Sequence, residues 1–509
     1  MALEYTAENI GIINDVYSGY AEQNVDADVT LPDYCPDILR VLKCTVEPNI
    51  ISSKISGDRI NIDGNALVRI LYCDESGNIC SYEQSYPYSK YAETGGDKTG
   101  VLFCEASVQY ANCRAVNKRR LEIHSMLHLS FNICEISRKD FIDDITTPGV
   151  ETKTIELSFS DIAACESKQF PINETVQIPD DLLPVQRLIS AQAVPIIAES
   201  KVIQGKCLLK GEIIVNMVYC ADDNFGECAV FQGSIPFNQV IEVSGLGENC
   251  VCCTVPEIKS AEFNVRNDSR NLPRFVDVIL VVSVNVKAYC EKTAQFITDA
   301  YSTSGTLEES YDNISLYSSL ESINDTFVCR NTFDFSALSP EKICAVWFDD
   351  VKVKKSFSSG KINFSGTARA NIILTDSDSK PVFCEREFEF EYSRTSAAAE
   401  NPALTQSVVI TGCTFSPLSD SSSEIKAEFS ISADIFSRKN VRALSGADLV
   451  SSDSPCGRSP SIIVYFCEGD ENVWDIARNY STTTELIKKE NNLTSDTVTS
   501  KGALLIPVI

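Results

Sequence analysis

Three stretches of the chain share one alternating pattern, and that pattern restricts the fold more than any other feature. In the first, residues 60–72, the residues Ile60, Ile62, Gly64, Ala66, Val68, Ile70 and Tyr72 occupy one face. The opposite face begins polar, with Asn61, Asp63 and Asn65, and ends with Arg69 and Leu71. Side chains of a strand point alternately to its two faces, so this alternation marks a half-buried β-strand. The register returns at Cys207, Leu209, Gly211, Ile213, Val215, Met217 and Tyr219, and again at Ile362, Phe364, Gly366, Ala368, Ala370, Ile372 and Leu374. A glycine holds the third inward position each time, 147 (64 to 211) and 155 (211 to 366) residues apart. Glycine within a strand marks a bulge or a close backbone approach. A phase shared by three such stretches implies a triplicated all-β domain.

The flanks repeat as well. Leu31-Pro-Asp-Tyr-Cys-Pro-Asp37 precedes the first copy and Ile178-Pro-Asp-Asp-Leu182 the second. Proline forbids a regular helix there and keeps the preceding residue extended. Hairpin turns follow the strand at 74–78, 221–226 and 376–380. Each copy has a second alternating half, at 106–136, 257–289 and 413–436, with Arg119-Arg120 between two strands of the first. Phe141-Ile-Asp-Asp144 matches Phe296-Ile-Thr-Asp299, again 155 apart. Ser/Thr/Gly-rich stretches at 146–153, 301–325 and 445–459 read as turns and linkers. This organisation divides the chain into a lead-in (1–21), three repeats (22–165, 166–320, 321–458) and a terminal module (459–509).

A length of 509 residues suits three or four domains, and 44% hydrophobic content suffices for buried cores. The net charge of −27 argues against nucleic acid or an anionic membrane as partner, since both require a basic face. The first nine residues carry Glu4 and Glu8 and lack the basic, then apolar, profile of a signal peptide. No window reaches the roughly 18 apolar residues of a membrane span. The expected location is therefore the cytoplasm, where the 21 cysteines would be reduced thiols packed as small hydrophobes.

The last fifty residues change character. Ile462-Ile-Val-Tyr465 is a short strand, and Val473, Ile476, Ala477 and Tyr480 share one helical face. Thr482-x-x-Glu485 is a capping box that opens a second helix, and Leu504-Leu-Ile-Pro507 closes the module as a strand. This β-α-α-β unit resembles a LysM domain, through Tyr465, Trp474-Asp-Ile-Ala477, Tyr480, Leu486, Asn491-Asn-Leu493, Gly502 and Ile506-Pro507. The resemblance implies ligand- or partner-binding loops at Asp470, Glu471 and Asn472 and at Asn491, Asn492 and Leu493. The family's Gly-Asp-Thr turn falls on Asp470-Glu-Asn472 by ungapped counting, and Gly469-Asp470 matches only with one residue inserted. That departure weighs against groove binding of N-acetylated glycans, although Asn472 still suits a helix cap.

The triplicated part resembles the SPOCS domain of clostridial sporulation proteins, through Leu31–Asp37, Ile62-Asp-Gly64 with Leu71-Tyr72, and Asp299-Ala-Tyr-Ser302. Repeated SPOCS copies with a terminal LysM domain resemble the spore-coat morphogenetic proteins of clostridia. The expected fold is thus mainly β: three tandem antiparallel SPOCS-like domains followed by a small β-α-α-β LysM domain. The resemblance implies a mother-cell scaffold at the forespore surface. Its expected partners are the ATPase of the coat basement layer and other coat proteins, with peptidoglycan as the alternative.

Signs of catalysis are sparse. His124 and His128 lie four residues apart, roughly 13 Å along a strand, too far to share a metal, and their neighbours place them on an outer face. With two histidines in the chain, a Ser-His or Cys-His nucleophile is not expected. Gly95-Gly-Asp-Lys-Thr-Gly100 lacks phosphate-loop spacing. Cys250-Val-Cys-Cys253 has no second Cys-x-x-Cys partner, so no zinc site, cofactor or enzyme is expected. Cys73/Cys80 and Cys220/Cys228 each flank a turn, as packed thiols or as pairs that oxidise late in spore assembly.

Overall fold

The computed structural model describes residues 3–203, 205–221, 228–338, 340–358, 360–376, 380–396, 402–419, 421–450 and 461–508. Eighteen of its strands form three units of six. The first unit comprises β1 (Tyr5–Thr30), β2 (Ile38–Ser56), β3 (Arg59–Asp74), β4 (Ile79–Glu93), β5 (Val101–Ala115) and β6 (Arg120–Ile145). Strands β2-β3-β4 form one antiparallel sheet and β1-β6-β5 another. The second unit repeats this with β7 (Val150–Gln177), β8 (Arg187–Ile203), β9 (Lys206–Cys220), β10 (Cys228–Glu242), β11 (Cys250–Asn267) and β12 (Pro273–Ser302). The third consists of β13 (Thr306–Asp334), β14 (Pro340–Ser358), β15 (Lys361–Asp376), β16 (Pro381–Thr395), β17 (Ala403–Pro417) and β18 (Ser422–Val450). In every unit the two sheets pack face to face around one apolar core.

The repeated strand is the middle strand of the smaller sheet. Its inward side chains are buried in all three copies, from Ile60, Cys207 and Ile362 to Tyr72, Tyr219 and Leu374. The three glycines mark close approach. Opposite Gly64, Gly211 and Gly366 stand Tyr88, Phe237 and Phe390, whose rings cover the space a side chain would need. A Cβ there would also collide with the carbonyl of Asn49, Ile196 or Lys352, and a bulge interrupts the first strand of each small sheet beside that point.

The Pro-Asp segments sit in one place, between the first and second strands of their units. Arg119 donates to the carbonyls of Pro32 (2.6 Å) and Cys35 (3.2 Å) and to Asp37 (2.8 Å). Arg274, 155 residues later, donates to the carbonyls of Pro179 (2.7 Å) and Leu182 (3.0 Å). The third unit keeps the equivalent backbone bond, Phe335 N to Ser421 O (2.7 Å), but has no arginine there.

Two sequence expectations are corrected. Residues 5–21 of the lead-in and 306–325 of the Ser/Thr-rich stretch are strand: Tyr5–Thr30 pairs with Arg120–Ile145, and Thr306–Asp334 with Ser422–Val450. The turns between units fall at 146–149 and 303–305 rather than after 165 and 320, while 451–460 lie outside the described residues. The boundaries read from sequence instead lie near bulges, between Asp15 and Tyr17, opposite Ala288/Tyr289, and between Ser319 and Glu321. There each long pair of strands leaves its sandwich and continues as a two-stranded ribbon. Bulges bend a strand and tighten its twist. Each ribbon has a polar outer side, which explains the linker-like composition, and an apolar inner side.

The three ribbons pack on one another through Phe141, Phe296 and Val441, with Ile145, Ala300 and Leu444 beyond them. The Phe141 and Phe296 rings stack 4.6 Å apart. At the other end the small sheets close a ring, β4 against β8, β10 against β14 and β16 against β2. Equivalent residues Leu71, Val218 and Ile373, on the face left outside each sandwich, are buried at that junction. Arg187 donates to Ile79 O (2.5 Å), and Arg40 reaches Pro381 O in the same way. The repeats therefore form one packed assembly with approximate threefold symmetry.

Candidate docking site in the terminal module

The terminal module consists of β19 (Ile462–Cys467), β20 (Glu471–Asn472), α1 (Val473–Asn479), α2 (Thr484–Asn491), β21 (Thr497–Val498) and β22 (Gly502–Pro507). The helices bury Val473, Ile476, Ala477 and Ile487 against Leu504 and Ile506. The first predicted loop lies beside the segment 496–498: β20 pairs with β21, and Val473 N donates to Asp496 O at 2.8 Å.

Three of the six predicted side chains hold the module's own backbone. Gly469 and Asp470 take φ of 95° and 59°, so the tight turn lies one residue ahead of the ungapped count. Glu471 accepts from Glu468 N (2.7 Å) and from the Tyr465 hydroxyl (2.5 Å). That bond holds the Glu471 carboxyl below its ordinary range and pushes the Tyr465 phenol up to about 12. Asn472 caps α1 by accepting from Trp474 N at 2.9 Å. Asn491 donates to Ile487 O (2.9 Å) and Leu505 O (2.7 Å) and accepts from Leu505 N (2.7 Å). Asn492 ends α2 in the left-handed region, and Leu493 packs on the core. The polar side chains left exposed are those of Asp470 and Asn492.

The module is docked onto the ribbon ends of the second and third units. Trp474 Nε1 donates to Asp299 Oδ2 at 2.7 Å, and Arg478 bridges Asp299 and Glu309 at 2.5 Å each. The Tyr301 ring meets Trp474 edge-on at 5.0 Å, and its hydroxyl donates to Thr482 O at 2.7 Å. The first unit has Asp144 but Thr146 at the positions equivalent to Asp299 and Tyr301, so it lacks the ring. Sequence reading missed this contact. The signal was the Asp299-Ala-Tyr-Ser302 stretch, read above only as a mark of resemblance.

A cavity of about 480 Å³ lies where all three units meet, lined by Leu67, Met217, Val230, Phe348, Val408 and Ile410 among others. Its carboxylates are ion-paired: Glu47 with Arg69 (2.9 Å), Asp349 with Lys43 (2.9 Å) and Asp350 with Arg369 (2.6 Å). Gln192, Asn216 and Gln232 donate to backbone carbonyls of the third unit.

Both histidines lie on the outer face of β6, His124 2.9 Å from Asp26 and His128 stacked 5.0 Å from Tyr20. Cys250 is bonded to Cys290, which corrects the expectation of reduced thiols throughout. Sequence reading missed it because the partners are opposed on β11 and β12, 40 residues apart. Cys252 belongs to the sandwich core. Among the described residues, no group of three or more His, Cys, Asp or Glu side chains is arranged for a metal. Cys220 stands directly opposite Cys228, whereas Cys73 stands opposite Ile79, so only one of the two turn-flanking pairs is opposed.

The SipL SPOCS-domain family model matches residues 37–116 and 184–266. These segments span β2 to β5 of the first unit and the equivalent β8 to β11 of the second. The match supports a SPOCS-containing, sporulation-associated protein and suggests a sporulation-related, non-enzymatic role. No curated protein and no solved structure matched the chain. No helix among the described residues is long and apolar enough to cross a membrane.

Proposed function

We propose that this chain is a non-enzymatic scaffold of spore-coat assembly, acting in the mother cell at the forespore surface. Three SPOCS-like units form its body, and the LysM-like module presents a docking surface to the coat's basement-layer ATPase and other coat proteins. The observation that carries this reading is the SPOCS-domain match on two of three units packed into one body. The ion-paired acids of the central cavity support a binding rather than a catalytic role. Protein docking is favoured over glycan binding because Glu471, Asn472 and Asn491, which would face a sugar, are engaged by the module's own backbone and Tyr465.

The test is mass spectrometry of proteins co-purified from sporulating cells with the full chain and with a chain lacking residues 460–509. Recovery of the basement-layer ATPase with the full chain, lost on truncation, is the expected result. Equal recovery with both chains would remove the module from the interaction. Retention of the full chain on purified peptidoglycan, without coat proteins, would replace the scaffold reading with a wall-binding one.

A further inference from the structure

The fold brings together thiols that are distant in sequence. Cys44 on β2 and Cys113 on β5 pack into one sandwich core, and Cys207 on β9 and Cys252 on β11 into another, and within each pair the two thiols perturb one another. Both pairs connect the two sheets of one sandwich. Ladder register shows what the other units place there. Cys44 stands opposite Ile70 and Cys113 opposite Ile123. The equivalent positions hold Ala191 and Phe263 in the second unit, and Val346 and Phe415 in the third. Cys207 and Cys252 likewise correspond to Ile60 and Leu102, and to Ile362 and Leu404. Apolar residues of the same sandwich cores thus fill these positions wherever sulfur is absent, so packing alone does not call for thiols. The second pair also has polar support. Ser200 Oγ lies 3.7 Å from Cys207 Sγ and donates to Cys252 O at 3.0 Å. The Cys252 thiol holds Cys207 down at about 7, against the effect of burial.

We propose that Cys44/Cys113 and Cys207/Cys252 are modification sites, dithiols that close into sheet-to-sheet disulfides when the chain meets a low-molecular-weight disulfide oxidant. One thiolate attacks the small disulfide, breaks its S–S bond and expels a small thiolate, leaving a mixed disulfide. The second protein thiolate displaces the other half. Two protons and two electrons leave the protein, and two small thiols are formed. Cys44 and Cys113 are half-buried and react first; Cys207 and Cys252 are buried and follow through opening of the sandwich end. Each closed bond would span a long segment, 44–113 or 207–252, and so restrict the unfolded chain. No equivalent pair stands at these positions in the third unit, where the residues are Val346, Phe415, Ile362 and Leu404.

The test treats the folded full-length chain with oxidised glutathione, blocks remaining thiols with an alkylating agent, and maps linked peptides by mass spectrometry. Peptides joining Cys44 to Cys113 and Cys207 to Cys252 are expected, with a rise of several degrees in melting temperature over the untreated chain. In the double variant Cys44→Ala/Cys113→Phe, which installs the residues of the second unit, the first link is lost together with part of that rise. Full alkylation of all four cysteines in the wild-type chain after treatment, or their linkage to other partners, would overturn the proposal whether or not the variant folds.

Discussion

Tyr88 shows how one buried hydroxyl sets a pH limit. Its ring covers Gly64, its hydroxyl donates to Asn49 O at 3.2 Å, and burial pushes its phenol up to about 12. In the unfolded chain the group ionises near 10. Between about pH 10 and 12 the unfolded state has lost a proton that the folded state keeps, so stability falls as pH rises through that window. Below pH 10 both states hold the proton and the contribution is intact. Urea unfolding at pH 8 and pH 11 is expected to show a smaller pH-dependent loss for Tyr88→Phe than for the wild-type chain. At pH 8 the variant should lose only about 1 kcal/mol, the net worth of one hydrogen bond. Its bond to a bulged neighbouring strand depends on register, which residue identity alone does not report.

At the scale of an element, the central strand of each small sheet tolerates no Cβ at its third inward position. Gly211→Ala would drive a methyl group into the Ile196 carbonyl and to 2.7 Å from the Phe237 ring. Since backbone and a packed ring cannot yield together, the expected loss is roughly 3 kcal/mol, at the upper end for overpacking. Gly502→Ala, with nothing within 4 Å, serves as the control and should melt within a degree or two of the wild-type chain. Equal melting temperatures for both variants would refute the close-approach account. The glycine spacing was legible because three copies repeat it; the covering ring was not, because it comes from the adjacent strand.

At the scale of the whole molecule, two polar clusters tie distant parts together. Lys43 of the first unit, 8% exposed, binds Asp349 (2.9 Å) and Glu385 (3.1 Å) of the third and also reaches Asn371. Lys43→Ala leaves Asp349 unpaired by lysine at the junction. The expected cost is about 2 kcal/mol, below the usual range for a buried pair because Glu385 is 44% exposed. Faster proteolysis between the first and third units should accompany it, and an unchanged digestion pattern would count against this junction. Asp299 anchors the terminal module, so Asp299→Ala should cost about 2 kcal/mol of docking and shift the emission of Trp474 to longer wavelength. Trp347, the chain's other tryptophan, is buried at the ring junction and supplies a constant background. Unaltered emission would show that the module stays in place without this carboxylate.

Local alternation by itself determined that the chain is triplicated β structure, which side chains face each core, and that the last fifty residues form a separate β-α-α-β module. Those properties depend on neighbours two to four residues away, so they can be read directly from the order of residues. Tertiary structure alone decided that 5–15 and 306–319 are ribbon strands, that the repeats close into a ring, that Cys250 finds Cys290, and that Asp299 holds Trp474 and Arg478. Each of those outcomes joins residues 40 to more than 150 positions apart, and such pairing depends on how whole sheets stack.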